Sequence, residues 1–142
     1  MKDLVQSALN GYVKSYKDND KDLFLSLWDS SAIFEDPVGT NPCKGIEAIS
    51  EFWDFGHVPG MTITPTQVET VVCGSEGILK AVMEVRNISD NSGMDIAIVD
   101  HFVINNEGKI LSGRAFWDEG CISQPSTSTT LEINLDEFKK RG

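Results

Sequence analysis

Residues 77–119, GILKAVMEVRNISDNSGMDIAIVDHFVINNEGKILSGRAFWDE, contain three runs of the length and composition of strands. In the first run, apolar residues at positions 79, 81, 83 and 85 alternate with charged residues at positions 80, 84 and 86. Such alternation gives a strand one apolar face and one solvated face. The polar clusters SDNSG and NNEG separate the runs at the spacing of hairpin turns. The stretch therefore predicts an antiparallel meander, preceded by an extended segment over residues 62–73 that Pro65 interrupts.

The first half of the chain predicts helices, because its apolar residues recur at three- and four-residue steps. Asp20 is the expected N-cap of a second helix, and Gly45 is the expected start of a third. The apolar stripes are Val5, Ala8, Leu9, Tyr12, Val13 and Tyr16 in the first helix, Leu23, Phe24, Leu27 and Trp28 in the second, and Ile46, Ile49, Phe52 and Trp53 in the third. Helices followed by a curved antiparallel sheet indicate an α+β domain whose helices cover one side of the sheet.

Composition and charge exclude several classes of partner. The chain has 142 residues, the size of one domain with a real core, and a formal net charge of -10. Its only basic run is at residues 139–141, so nucleic acid and anionic membrane surfaces are not expected partners. No apolar run approaches the ~20 residues of a membrane helix, and the N-terminus does not resemble a secretory signal.

The cysteines and histidines indicate neither a disulfide framework nor a metal site. Cys43, Cys73 and Cys121 are an odd number of widely spaced residues, which is typical of reduced thiols in the cytoplasm. His57 and His101 complete a small set of metal ligands. The pair Cys43 and His57 belongs to no recognisable motif, and we interpret it as incidental.

The last-but-one strand carries a carboxyl group on an apolar face. With a period of two, Asp100 shares its face with Ile96, Ile98, Phe102 and Ile104. An ionised carboxylate is costly there unless it is paired, so the group can remain protonated with a raised pKa. By itself, such a residue is better explained as a buried Asp that accepts hydrogen bonds from loop amides.

The segment FEDPVG gives a second carboxyl group in a similar position. A short strand over residues 32–36 places Asp36 on the face of Phe34, and Pro37 restricts Asp36 to an extended conformation. Tyr12 contributes a phenol from the apolar stripe of the first helix. Singly, Asp36 can be a turn carboxylate and Tyr12 a core residue with a local hydrogen bond.

Together, these residues suggest acid–base chemistry in an apolar interior. Two carboxyl groups whose surroundings separate their pKa values are expected where one acts as a base and the other as an acid. Asp36 can remove a proton next to a carbonyl group, while Tyr12 and Asp100 donate hydrogen bonds to the enolate oxygen that forms. The sequence shows no phosphate loop, G-x-S-x-G motif or zinc motif that would indicate a different reaction.

At these residues the sequence resembles the steroid Δ5-3-ketosteroid isomerases of the SnoaL-like and nuclear-transport-factor-2-like superfamily. The segments that carry the resemblance are GYVKSYKDND, FEDPVGTNPCKGIEAISEFW, IVDHF and GRAFWDEGCI. The resemblance assigns residues 1–122 to one domain and leaves residues 123–142 as a C-terminal extension of unknown role. It implies a cone-shaped α+β barrel, three N-terminal helices on a curved antiparallel or mixed sheet, that usually forms a homodimer and uses no cofactor.

The resemblance also implies roles for individual residues. Asp36 would be the general base, and Tyr12 with neutral Asp100 would hold the oxyanion of a hydrophobic, steroid-like substrate. The candidate substrate-binding residues are Phe52, Trp53, Met83, Ile98, Phe116 and Trp117.

Two positions differ from the family. Trp53 replaces a tyrosine that hydrogen-bonds the oxyanion-hole tyrosine, and Trp28 replaces a Tyr or Phe. Because an indole donates but cannot accept a hydrogen bond, the network around Tyr12 must differ. Two alternatives therefore stay open, a non-catalytic protein that binds hydrophobic small molecules and an enzyme resembling a polyketide cyclase or dehydratase.

Overall fold

A computed structural model describes residues 1–125. The faintly amphipathic segment LEINLDEFKKRG and most of the expected C-terminal extension lie outside these residues. The described elements, in chain order, are α1 (Lys2–Lys17), α2 (Lys21–Ser26), β1 (Trp28–Glu35), β2 (Cys43–Lys44), α3 (Gly45–Gly56), β3 (Met61–Cys73), β4 (Glu76–Asn87), β5 (Gly93–Ile104), β6 (Ile110–Phe116), a 3-10 turn (Glu119–Cys121) and β7 (Ile122–Ser123). Within residues 1–125, no helix is both long and apolar enough to span a membrane.

The strands form one mixed sheet in the order β2-β1-β6-β5-β4-β3, with β7 paired to β5. The predicted meander is confirmed, since β4, β5 and β6 pair antiparallel along the chain. The sheet is mixed because β1 pairs parallel to β6. The helices cover one face of this sheet, which confirms the predicted α+β architecture.

Helix α1 forms because its apolar residues fall on one stripe, and all six predicted stripe residues are buried. The stripe faces the sheet, where the ring of Tyr12 packs against Phe102 of β5 with centroids 4.9 Å apart. This contact joins residues 90 positions apart in the chain and holds α1 above the inner face of β5.

Helix α2 is shorter than its apolar pattern predicts. Its N-cap is confirmed, because a side-chain oxygen of Asp20 accepts a hydrogen bond from the Leu23 amide at 3.0 Å. The expected stripe continues to Trp28, but the helix ends at Ser26 and Trp28 begins β1. The Leu27 carbonyl accepts a hydrogen bond from the Ile110 amide at 2.8 Å, so pairing with β6 replaces the next helical turn.

Strand β3 is continuous through Pro65, where the sequence predicts an interruption. Pro65 pairs with Met83, and the irregularity in register comes after Thr66, where Gln67 has a φ of 52°. Proline is tolerated because β3 lies at the edge of the sheet. An edge strand has a neighbouring strand on one side only, so the missing N–H of Pro65 does not disrupt pairing with a second strand.

Candidate active site

A cavity of about 340 Å³ lies between α1, α3 and the inner face of strands β3 to β5. Its wall is largely apolar, as expected for a small-molecule site. The lining residues are Tyr12, Tyr16, Asp36, Phe52, Phe55, Gly56, His57, Val58, Met61, Ile63, Met83, Val85, Met94, Ile96, Ile98, Asp100 and Trp117. The three residues expected to act together, Tyr12, Asp36 and Asp100, all lie in this wall.

Asp100 is the most deeply buried acid of the cavity, with only 2% of its surface exposed. In the sheet it lies between Leu79 of β4 and Ala115 of β6, so its neighbours on both strands are apolar. Burial raises the pKa of this carboxyl well above its usual range, and the nearby charge of Asp36 raises it further. Its Oδ1 atom has no hydrogen-bond partner within residues 1–125. Asp100 is therefore a buried carboxyl group that faces the cavity and whose surroundings favour its protonated form.

Asp36 directly follows β1 and is only partly buried. Its Oδ1 accepts a hydrogen bond from the indole Nε1 of Trp117 at 2.7 Å, and its peptide bond to Pro37 is cis. The adjacent Glu35 points the other way, where it accepts a hydrogen bond from Arg114 Nε at 3.0 Å. Glu35 and Asp36 therefore point in opposite directions, and of the two only Asp36 lines the cavity.

Tyr12 contributes a neutral hydroxyl group. The side chain is 2% exposed, and burial raises its pKa well above 10.0. The negative charges that Tyr16, Asp100 and Asp36 can carry raise the pKa of Tyr12 further. A phenol that keeps its proton is a hydrogen-bond donor for an oxygen in the cavity.

These elements, in this order around one cavity, correspond to a known family. A model of the SnoaL-like domain matches residues 9–113, which include Tyr12, Asp36 and Asp100. The chain belongs to the SnoaL-like domain family. SnoaL-like proteins are often enzymes, among them cyclases and isomerases.

Three solved structures are similar to this SnoaL-like chain. SalBIII, described as an epoxide hydrolase/cyclase-like enzyme with a role in pyran ring formation in the polyether salinomycin, is 28% identical with a TM-score of 0.71; the match covers 84% of this chain and 95% of SalBIII. RV0760c from Mycobacterium tuberculosis is 19% identical with a TM-score of 0.76, covering 88% of this chain and 98% of that one. A computationally designed 17-OHP binder is also 19% identical, with a TM-score of 0.73 and coverages of 86% and 98%. The last two show a shared fold.

Four of the six expected substrate-binding residues line the cavity of this SnoaL-like domain. These are Phe52, Met83, Ile98 and Trp117. Phe116 does not line it: 43% of its surface is exposed, and the guanidinium of Arg114 lies 5.3 Å from its ring centroid. Because side chains alternate along β6, Ala115 points inward and Phe116 outward. Phe116 therefore lies outside the wall of this cavity.

Trp53 is also not among the lining residues, although it is almost fully buried. Its ring stacks on that of His57 with centroids 3.8 Å apart and packs against that of Tyr16 with centroids 5.0 Å apart. Trp53 therefore lies behind these two rings. Tyr16 and His57 therefore occupy the layer between Trp53 and the cavity.

Two lining residues have polar atoms that the sequence did not assign to the site. Tyr16 belongs to the apolar stripe of α1, which predicts a core residue. Because it follows Tyr12 by four residues, the two side chains are neighbours on the same face of the helix, and this spacing indicates that Tyr16 lies beside the site. His57 was interpreted as incidental, but it lines the cavity, while Cys43 is buried in β2 and does not. Nδ1 of His57 is hydrogen-bonded to the Trp53 carbonyl at 2.9 Å. Burial lowers the pKa of His57, so its ring is neutral near pH 7.

Proposed function

We propose that this SnoaL-like protein catalyses intramolecular proton transfer in a β,γ-unsaturated ketone, with a Δ5-3-ketosteroid as the foremost substrate candidate. The observation that supports this proposal is the pair of carboxyl groups on one apolar cavity. Asp36 is partly buried and hydrogen-bonded to Trp117, whereas Asp100 is fully buried with a raised pKa. One group suits a base and the other a neutral donor.

In the proposed reaction, Asp36 removes a proton from the carbon between the carbonyl group and the double bond. The C–H electron pair moves into a dienolate, whose oxygen accepts hydrogen bonds from Tyr12 and Asp100. Asp36 then returns the proton to the γ carbon, which conjugates the double bond with the carbonyl group. A positioned general base contributes about 10²–10⁴-fold, and a single oxyanion donor contributes on the order of 10²–10³-fold.

The surroundings favour a hydrophobic substrate with its reactive oxygen at one end. Methionine and β-branched residues of β3 to β5 supply most of the remaining wall, among them Met61, Met83, Met94 and Ile96. Burying the apolar body of a ligand against them stabilises binding by roughly 25 cal/mol per Å². Hydrogen bonds at the polar end then act in a low-dielectric site, where they are stronger than in water.

The test is a steroid turnover assay that follows the absorbance of the conjugated enone. We expect turnover above the buffer rate for the wild-type protein, and a 10²–10⁴-fold lower kcat for Asp36→Asn, which keeps the size of the side chain and removes the base. Glu35→Gln is the matched control, because its carboxylate is adjacent but bound to Arg114 on the other face. Equal loss in both variants, or no wild-type turnover, contradicts the proposal.

The similarity to SalBIII supports a second candidate, the ring closure of a hydroxy-epoxide. Here Asp36 would take the proton of the hydroxyl group, whose oxygen forms a C–O bond to an epoxide carbon. The epoxide C–O bond breaks, and Asp100 protonates the released oxygen. Chromatography of a hydroxy-epoxide incubated with the wild-type protein, compared with the ketosteroid assay, separates the two reactions. Cyclic ether without ketone isomerisation favours this second candidate.

A further inference from the structure

Tyr16 places a second phenol beside Tyr12. The two residues are one helical turn apart in α1, and their ring centroids are 5.1 Å apart. Both are buried, and both line the cavity. A hydrogen bond between their hydroxyl groups is one of the causes that raise the pKa of Tyr12, which means that Tyr12 is the donor to Tyr16 when no ligand is bound.

The ring of Tyr16 is held by aromatic neighbours on several sides. Trp53 lies 5.0 Å away, His57 lies 5.5 Å away, and Phe24 meets the ring edge-on at 5.7 Å. These contacts come from α2 and from the end of α3, so two neighbouring helices restrict the rotamer of the Tyr16 side chain. The hydroxyl group of Tyr16 is therefore fixed relative to Tyr12 before any ligand binds.

In this arrangement Tyr12 has a phenol neighbour even though position 53, a tyrosine in the family that the sequence resembles, is a tryptophan. The resemblance places there a tyrosine that hydrogen-bonds the oxyanion-hole tyrosine, but Trp53 can only donate through its indole and lies behind Tyr16. Trp28, the other departure, has a buried Nε1 without a hydrogen-bond partner within residues 1–125. In the described structure, the phenol beside Tyr12 comes from the same helix as Tyr12 itself.

We propose that Tyr16 is a positioning residue that acts through Tyr12, donating a hydrogen bond to the Tyr12 oxygen while Tyr12 donates to an anionic ligand oxygen. Hydroxyl hydrogens rotate, so the pair can reverse the sense of its hydrogen bond when such a ligand binds. Donation from Tyr16 polarises the Tyr12 hydroxyl and strengthens its own donation. The inference rests on the oxyanion-binding role of Tyr12 in the proposed function, but it does not require turnover.

The test measures the ionisation of bound 4-nitrophenol, which is coloured only as the phenolate. Titrations use the Asp36→Asn background, where a neutral amide does not repel the phenolate. Adding Tyr16→Phe keeps the aromatic packing and removes the hydroxyl. We expect about three- to tenfold weaker binding of the phenolate and unchanged binding of neutral nitrophenol at low pH, as for loss of one polarising hydrogen bond.

A double-mutant cycle with Tyr12→Phe in the same background tests whether Tyr16 acts through Tyr12. We expect Tyr16→Phe to have no further effect once the Tyr12 hydroxyl is removed. Additive losses contradict the inference, because Tyr16 would then contact the ligand directly. Equal weakening of both ligand forms also contradicts it, since that result indicates a purely structural role. A thermal melt of each variant checks that the fold is kept.

These results are separate from the fate of the proposed reaction. If the phenolate effect is found but no ketone is isomerised, the proposed function fails and the role of Tyr16 stands. If ketone turnover is found and Tyr16→Phe changes neither phenolate binding nor kcat, the role of Tyr16 is refuted and the proposed function stands.

Discussion

Asp100 shows how a single residue connects stability with function. Its neighbours on β5 are Ile98 and Phe102, and its charge would have to be buried beside that of Asp36. A neutral acid in this place can donate a hydrogen bond. At neutral pH, however, the folded protein must hold a proton on Asp100 that the unfolded chain has already released. The site therefore holds a residue that weakens the fold.

This cost gives a pH-dependent prediction for Asp100→Asn. Because the folded pKa is raised above the unfolded value near 3.8, stability is highest below that value and falls as the pH rises towards the folded pKa. The amide does not titrate, so we expect the variant to lose this slope and to be more stable than the wild-type protein at pH 7. Urea unfolding from pH 4 to pH 8 measures both effects.

Asp95→Asn is the control on the same strand. Asp95 faces the other side of the sheet and forms an ion pair with Arg86 at 2.8 Å, so its replacement should lower stability. A pH slope that persists in Asp100→Asn, or an equal loss of stability in both variants, contradicts the assignment of Asp100 as a buried neutral acid.

At the scale of elements, the β4–β5 hairpin builds much of the cavity wall. Val85 pairs with Met94, and Met83 pairs with Ile96, so adjacent inward side chains of the two strands form a continuous apolar surface. At Gly93, the first residue of β5, a Cβ atom would lie 1.7 Å from the Val85 carbonyl oxygen. The first residue of β5 must therefore be glycine for this register to form.

We expect Gly93→Ala to destabilise the protein by about 3 kcal/mol or more, because the added methyl group meets backbone that cannot move without breaking the hairpin. Gly56→Ala is the matched control, since its Cβ would meet only the Ile63 Cδ1 atom at 3.4 Å. Thermal or urea unfolding compares the two. A similar, small change in both variants would show that the hairpin does not require the close approach at Gly93.

At the scale of the whole molecule, the outer face of the sheet carries exposed apolar side chains. Val99 and Phe116 are cross-strand neighbours on this face, with 38% and 43% of their surfaces exposed. Glu35 and Arg114 lie next to them on the same face. This pair of opposite charges could form ion pairs with the same residues of a second copy of the chain. We propose that this face forms the homodimer that the family resemblance implies.

Val99→Lys tests the proposed dimer by placing a charge in its centre. We expect light scattering to give twice the 15.6 kDa chain mass for the wild-type protein and the single chain mass for the variant. Ile88→Lys is the control, because Ile88 is 71% exposed but lies on the β4–β5 turn. A monomeric wild-type protein, or a dimer that survives in Val99→Lys, contradicts this interface.

The sequence by itself determined the class of fold and the direction in which most side chains point. A period of two placed Asp36 and Asp100 on the inner faces of their strands, and the helical period placed Tyr12 on the buried stripe of α1. These signals are local, because the backbone geometry of a strand or helix fixes which side each residue faces. Local signals also located the Asp20 cap and the hairpin turns.

Only the tertiary structure decided which inward residues fill the core and which line the cavity. Tyr16 and Trp53 lie on apolar stripes of the same kind, yet Tyr16 lines the cavity and Trp53 lies behind it. The hydrogen bond from Trp117 to Asp36 joins residues 81 positions apart, through the parallel pairing of β1 with β6. Periodicity predicts the side of a strand or helix that a residue faces. A cavity is the space that remains between elements distant in the chain once they have packed, and no local sequence pattern predicts how closely those elements pack.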